Sequence, residues 1–307
     1  MANIREISGR IRSIRDTMKI TNAMYMISST KLRKAKKGHE GNVPYFSYLK
    51  EMYDRVILST VELKNIWLDE REEKQGKERT RAIILITGDK GLAGAYNHNA
   101  IKLALSLMNE GPTPKLYVVG EVGRQYFAGQ KVLMAGQFKY SAQNPSLNRA
   151  RMIGNMLMDE YLSGEIDEAY IVYTEMKTSI SSEARAIRIL PLMYEKPEGV
   201  DEALQGEENK INFVPSAEDV LNTIVPEMII GDIYSTLVES YCSEQNDRMM
   251  AMDKANKNAA EMIKDLSTQY NRERQAMITQ EITEVIAGAK AQKKKKQKRA
   301  AQEAQIG

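Results

Sequence analysis

The sequence predicts an α/β protein: a long antiparallel coiled coil of N- and C-terminal helices with an inserted Rossmann-like α/β domain. Three observations predict it. A heptad of apolar and small residues runs through the first 35 positions. The middle of the chain then changes to short β-branched runs alternating with helical stretches. Finally, residues 232–287 hold neither glycine nor proline over 56 positions. That length makes ~84 Å of helix at a rise of about 1.5 Å per residue.

The N-terminal region, residues 1–60, has the clearest pattern. Ile4, Ile7, Ile11, Ile14, Met18, Thr21, Tyr25, Ser28, Leu32 and Ala35 advance by alternating steps of three and four. Gly9 is a soft spot, and "KKGHEGNVPYF" (36–46) is the first interruption. Helical pattern resumes in "YFSYLKEMYDRVILSTVELK" and decays into the charged "DEREEKQGKERTR".

Residues 78–210 form the expected α/β domain. "RAIILITG" (81–88), "KLYVVG" (115–120), "EAYIVYTEM" (168–176) and "RAIRILPLM" (185–193) are strand candidates. "NHNAIKLALSLMNE" and "SLNRARMIGNMLMDEYLSG" are the helices between them. "YEKPEGVDEALQGEENK" (194–210) is expected to be a surface loop.

The C-terminal region, residues 215–290, carries the second long helix. Its expected seam is Met252, Ala255, Ala259, Met262 and Leu266, fading beyond Tyr270 through Gln269, Glu273 and Ala276. "ITQEITEVIAGAKA" (278–291) then shows a different apolar face, built from Ile278, Ile282, Val285, Ile286 and Ala289. This helix is longer than its N-terminal partner, so its far end outruns the pairing and needs a partner outside the chain. Residues 291–307 are expected to be a disordered basic tail.

Charge is uneven along the chain. Ten Lys/Arg against Glu6 and Asp16 give residues 1–37 a balance of +8, and residues 290–299 hold seven Lys/Arg and no acid. The whole chain is +3, which leaves −12 for the remainder. Partners therefore come from nucleic acid, acidic lipid or acidic protein surfaces. The basic N-terminal helix also reads as the solvated exterior of a coiled coil. A basic coiled-coil nucleic-acid-binding protein is the alternative function. The longest apolar runs are too short to span a bilayer, and "MANIREISGRIRSIRD" lacks the continuous apolar stretch of a secretory signal. One cysteine, Cys242, has no intramolecular partner for a disulfide, which fits a reducing cytosol.

No catalytic constellation emerges. "TGDKGLAGAYN" (87–97) follows a strand and precedes a helix, as a phosphate-binding loop would, but its glycines are spaced GxxGxxG. The dinucleotide fingerprint needs GxGxxG and the Walker loop GxxxxGK[ST]. A tight strand-to-helix turn is the better reading. His39, His98 and Cys242 are too scattered for zinc. No catalytic residue, cofactor or metal site is expected.

Four motifs in order resemble the gamma subunit of bacterial F-type ATP synthases. "IREISGRIRSIRDTMKITNAMYMISSTKLRKA" is similar to its N-terminal helix, and "TGDKGLAGAYN" to its glycine-rich turn. "VPSAEDVLNTIVP" resembles the entry to its C-terminal helix, and "QYNRERQA" with "ITQEITEVIAGAKA" its C-terminal signature. The resemblance implies a central rotor shaft without an active site. It also implies alpha and beta subunits around the shaft, an epsilon subunit and a membrane ring of c subunits at its foot, and no nucleic acid. It places the chain peripherally on the cytoplasmic face of the cell membrane. By motif position, contacts to alpha and beta fall on Met24, Arg248, Gln275, Thr279, Ile282 and Ile286. Two departures stand out: a basic tail beyond the signature, and no cysteine pair like that of plastid relatives.

Overall fold

In a computed structural model, residues 2–59, 65–71, 73–74, 76–130, 132, 134–135, 140–178, 181–193 and 213–303 are described. In chain order come α1 (Ala2–Glu40), α2 (Val43–Ser59), β1 (Thr80–Ile86), α3 (Tyr96–Met108) and β2 (Thr113–Val119). They are followed by α4 (Glu121–Ala128), α5 (Leu147–Leu162), β3 (Glu168–Met176), β4 (Ser182–Leu190) and α6 (Ala217–Glu303). The expected loop at 194–210 lies outside the described residues. The chain divides into two compact units, residues 24–251 and residues 1–23 with 252–307.

The larger unit is built on a four-stranded sheet in the order β2-β1-β3-β4. β1 pairs parallel with both β2 and β3, whereas β4 runs antiparallel to β3. Parallel strands buried on both faces read as continuous apolar runs, and "AIILI" of β1 is buried at every position. Alternation divides that run between two cores. Ile83 and Leu85 pack with Ala100, Ile101 and Ala104 of α3 and with Phe127 of α4. Ala82, Ile84 and Ile86 face the other way, into a core with α2, α5 and the first part of α6. The four expected strands are present; α4, only eight residues long, carried no periodic signal.

Close approaches depend on glycine at several places. Gly120 has φ +93°, and a β-carbon there would lie 2.1 Å from the Thr87 carbonyl oxygen. One added at Gly123 would lie 2.8 Å from Thr87 Oγ1, the atom that accepts the Gly123 N–H. At Gly231 it would meet the Phe46 ring at 2.3 Å, so this glycine lets α2 lie against α6.

Helix α6 starts earlier than its glycine- and proline-free stretch. Ser216 Oγ accepts the Asp219 N–H at 3.0 Å and donates to Asp219 Oδ2 at 2.7 Å, which caps the helix start. Pro226 and Gly231 lie inside the helix. Both are carried because Leu221, Val225, Ile229, Ile230 and Ile233 are buried in the core on either side of them, and tertiary packing overrides local propensity.

The smaller unit pairs the first part of α1 with the last part of α6. Ile4, Ile7, Ile11, Ile14, Met18 and Thr21 are the covered or part-covered positions of α1, while the residues between them face solvent. Thr21 Oγ1 donates to Asn256 Oδ1, and Asn256 Nδ2 donates to Asn22 Oδ1 at 2.6 Å. Arg10 and Ile14 line one hollow with Met262 and Leu266. Rising numbers on one helix meet falling numbers on the other, so the pair is antiparallel.

The seam on α6 departs from the expected one at Met262. Met252, Ala255, Ala259 and Leu266 are covered as expected, and so are Asn256, Ile263, Tyr270, Glu273 and Met277, whereas Met262 is 55% exposed. Asn256 explains the departure. The apolar pattern passes over an asparagine, yet this amide has partners across the seam. Coverage therefore continues past Tyr270 as far as Met277. Beyond it, every position from Ile278 to Lys295 is exposed. The helix also runs on through 291–303, where a disordered tail was expected. Ala, Lys, Gln, Arg and Glu, all good helix formers, make up that segment.

Candidate functional site: a filled crevice and a bare helix end

In an open α/β sheet, ligands bind outside the carboxyl ends of the strands where strand order reverses. Here that point lies between β1 and β3, because β1 leads outward to β2 and the chain then returns to the other side. The turn Gly88–Ala95 leaves β1 at this place. The crevice is filled by the chain's own α6. Ser240 Oγ lies 2.8 Å from the Tyr96 hydroxyl and accepts the Thr174 N–H at 3.3 Å. Glu239 Oε1 accepts the Met176 N–H at 2.9 Å, so α6 side chains cap the end of β3.

Glu244 and Arg248 complete the plug. The Arg248 guanidinium donates to Glu244 Oε1 at 2.5 Å and to the carbonyls of Lys90 and Gly91 at 3.3 and 3.2 Å. Both side chains are under a tenth exposed. Burial pushes the Glu244 carboxyl above its ordinary range, and the charge and hydrogen bonds of Arg248 pull it only part of the way back. A β-carbon on Gly88 would lie 2.8 Å from Glu244 Oε1, which is why glycine stands there.

The turn is poorly suited to phosphate. Its Asp89 carboxylate already accepts the Glu121 and Ala142 N–H groups at 3.2 Å and the Ser141 hydroxyl. The Gly88 N–H is taken by Asn97 Oδ1 at 2.8 Å. Two carboxylates, Asp89 and Glu244, therefore stand where an anion would have to enter. Among the described residues no group of three or more His, Cys, Asp or Glu is placed to hold a metal ion.

The expected contact residues fall in two places. Met24 and Arg248 line one hollow of the larger unit, together with Ser28, Lys31, Lys90 and Glu244. Met24 is half-buried there, and Arg248 faces inward rather than toward solvent. Gln275, Thr279, Ile282 and Ile286 lie on the last part of α6, all exposed. Ser240 and Glu244 are the site residues that nothing in the sequence singled out, and with Arg248 they share one signal. They are polar residues spaced by four on a helix otherwise rich in buried apolar groups.

Register explains the bare end. Carrying the Thr21–Asn256 pairing one for one along both helices brings Ala2 opposite Gln275. Past that point no described residue of α1 lies opposite α6. Ile278, Ile282, Val285 and Ile286 are 43, 55, 72 and 51% exposed. They span about 100° of the helix surface at 3.6 residues per turn, a coherent stripe. Most helical stability in proteins comes from tertiary packing, which the exposed positions Ile278 to Lys295 lack, and Gly288 weakens the helix further. A stripe of this kind marks a docking surface.

Fold and site together define a class: a coiled-coil protein whose α/β unit is plugged by its own helix and whose last helix carries an exposed apolar stripe. The family model described as ATP synthase matches residues 3–292. The ATP synthase gamma chain of Ruminiclostridium cellulolyticum is 42% identical over 294 residues, covering 94% of this chain and 98% of that one. The sodium-ion-specific ATP synthase gamma chain of Acetobacterium woodii is 36% identical over 302 residues, with 94% and 98% covered. A chain in the solved structure of the Euglena gracilis mitochondrial ATP synthase (OSCP/F1/c-ring) shares the fold, with a TM-score of 0.61 at 17% identity and 94% of each chain covered. This chain belongs to the ATP synthase gamma chain family.

Proposed function

We propose that this chain is the central-stalk rotor subunit of its ATP synthase. It couples ion-driven rotation of a membrane ring to conformational cycling of catalytic beta subunits, in synthesis or hydrolysis of ATP. The observation that carries the reading is the bare apolar stripe at Ile278–Ile286, which begins where α1 ends. Alpha and beta subunits surround this end as an apolar sleeve. A stripe on one side of a helix presents a different surface to each of three surrounding catalytic sites, and turning the helix exchanges those surfaces. Chemistry stays on beta, and the gamma chain contributes shape.

Gln275, Thr279, Ile282 and Ile286 meet alpha and beta directly, as does Met24. Arg248 contributes from inside, by holding the Lys90–Gly91 turn in place. The α/β unit stands with an epsilon subunit on the c-subunit ring at the cytoplasmic face of the membrane. Attachment is peripheral: among the described residues no helix is long and apolar enough to cross a membrane.

Co-purification of this chain with alpha and beta subunits, followed by an ATPase assay of the assembly with and without it, tests the reading. The expected outcome is a stable assembly whose hydrolysis rate depends on the chain. An alpha–beta assembly that neither retains the chain nor changes its rate in its presence overturns the proposal. Salt-dependent binding of duplex DNA or RNA in preference to alpha and beta would return the nucleic-acid alternative.

A further inference from the structure

Beyond the bare stripe, the same helix carries a second, chemically different surface. Residues 290–299 hold seven Lys/Arg and no acid, and α6 runs through all of them to Glu303. The family model stops at residue 292, so most of this segment lies beyond the matched region. Lys290, Lys293, Lys294 and Lys295 are exposed, and among the described residues no ion pair involves them. At 3.6 residues per turn the seven basic positions fall on every side of the helix, with no gap wider than about 60°. The stripe at Ile278–Ile286 keeps to one helical phase, whereas the spacing of the basic positions keeps to none.

Like charges four residues apart destabilise a helix, and Lys290–Lys294, Lys294–Lys298 and Lys295–Arg299 are such pairs. A surrounding anionic surface relieves that repulsion. We propose that residues 290–299 dock in an acidic protein collar, a ring of carboxylates on the subunits that cover Ile278–Ile286. This inference rests on the central-stalk reading. Two features favour protein over lipid. A flat bilayer engages one side of a helix, not all sides. Glu281 also borders the apolar stripe, where anionic headgroups would repel it. Nucleic acid offers nothing to cover the four apolar side chains only about 10 Å along the helix.

The test uses the full-length chain and its reconstituted alpha–beta assembly. A variant with Lys293→Gln, Lys294→Gln, Lys295→Gln and Lys296→Gln keeps helix propensity and removes charge. A Lys→Arg set at the same positions keeps the charge. At low salt the Gln variant should associate with the assembly roughly tenfold more slowly, while the Arg variant matches the parent. The difference should close as salt rises. Equal rates with equal salt dependence for all three chains overturn the collar and leave the stalk reading standing. Failure of every chain to associate overturns both. Phosphatidylglycerol vesicles and duplex DNA serve as parallel probes. Loss of binding to either probe by the Gln variant, with association to the assembly unchanged, replaces the protein collar by that ligand.

Discussion

One helix, α6, meets two opposite fates. Between Asp232 and Arg248 most of its positions are buried, and Glu239, Ser240 and Arg248 are bonded to the sheet and to the glycine-rich turn. From Ile278 to Lys295 no position is covered, although the local apolar spacing is as regular. The comparison teaches that helical pattern alone does not say where a helix draws its stability. In the first stretch tertiary contacts supply it. In the second the geometry leaves that role to another molecule.

The largest effects should come from the enclosed region. Gly120→Ala forces a side chain into a left-handed backbone and onto the Thr87 carbonyl. The expected loss is about 4 kcal/mol or more, combining backbone strain and overpacking, read from urea unfolding; a loss under about 1 kcal/mol would refute the close-approach argument. Arg248→Ala comes next, at about 3 kcal/mol, because it strands a buried carboxylate. Adding Glu244→Gln should recover much of the loss. If the double variant is no more stable than Arg248→Ala, the ion pair is not the cause.

Two buried carboxylates sharpen the comparison through pH, with opposite signs. Burial alone would raise the Asp167 carboxyl, but Lys74, the Thr80 N–H and Arg71 outweigh it and hold it below its ordinary 3.8. Its contribution is therefore present above pH 3.8 and is lost as pH falls through the lower folded value. Asp167→Asn should cost about 2 kcal/mol at neutral pH, the range for charged hydrogen bonds. The gap to the parent should close as pH falls below 3.8. Glu244 is raised from its ordinary 4.5, so its contribution is present below that pH and is lost as pH rises through the folded value. Glu244→Gln should therefore flatten the fall in stability above pH 4.5. Denaturant midpoints across pH for the three chains check both signs.

Much of this contrast was legible beforehand. β3 spans Glu168–Met176, the stretch that its β-branched and aromatic residues had marked. The α1 seam followed its three-four steps at every described position because nothing polar interrupted the reading before Thr21. The filled crevice was not legible. Period and composition identify a helix, but they do not say which distant element lands at the end of β1. Nothing in the sequence singles out Ser240 or Glu244, and only the fold shows that they and Arg248 are turned inward. The seam on α6 departed at Met262 for a related reason: Asn256 is polar by type and yet covered by place. The bare end was the most legible feature of all, because counting residues on two paired helices is sufficient to see that one is longer.

The smallest expected effect on the isolated chain is also the sharpest test of the contrast. Ile282→Asp with Ile286→Asp should change unfolding stability by no more than about 0.5 kcal/mol, as surface substitutions do. In an enclosed region the same exchange would cost several times that. Each of the four apolar side chains is about half exposed or more, so a covering partner gains on the order of 1 kcal/mol from each. Two carboxylates in place of two isoleucines remove that gain and add desolvation of charge within the sleeve. Association with alpha and beta should therefore weaken by at least tenfold while the chain itself stays folded. A variant that lost stability but kept its partners would invert the contrast. It would mean that the stripe is covered within the chain and that the working surface lies elsewhere.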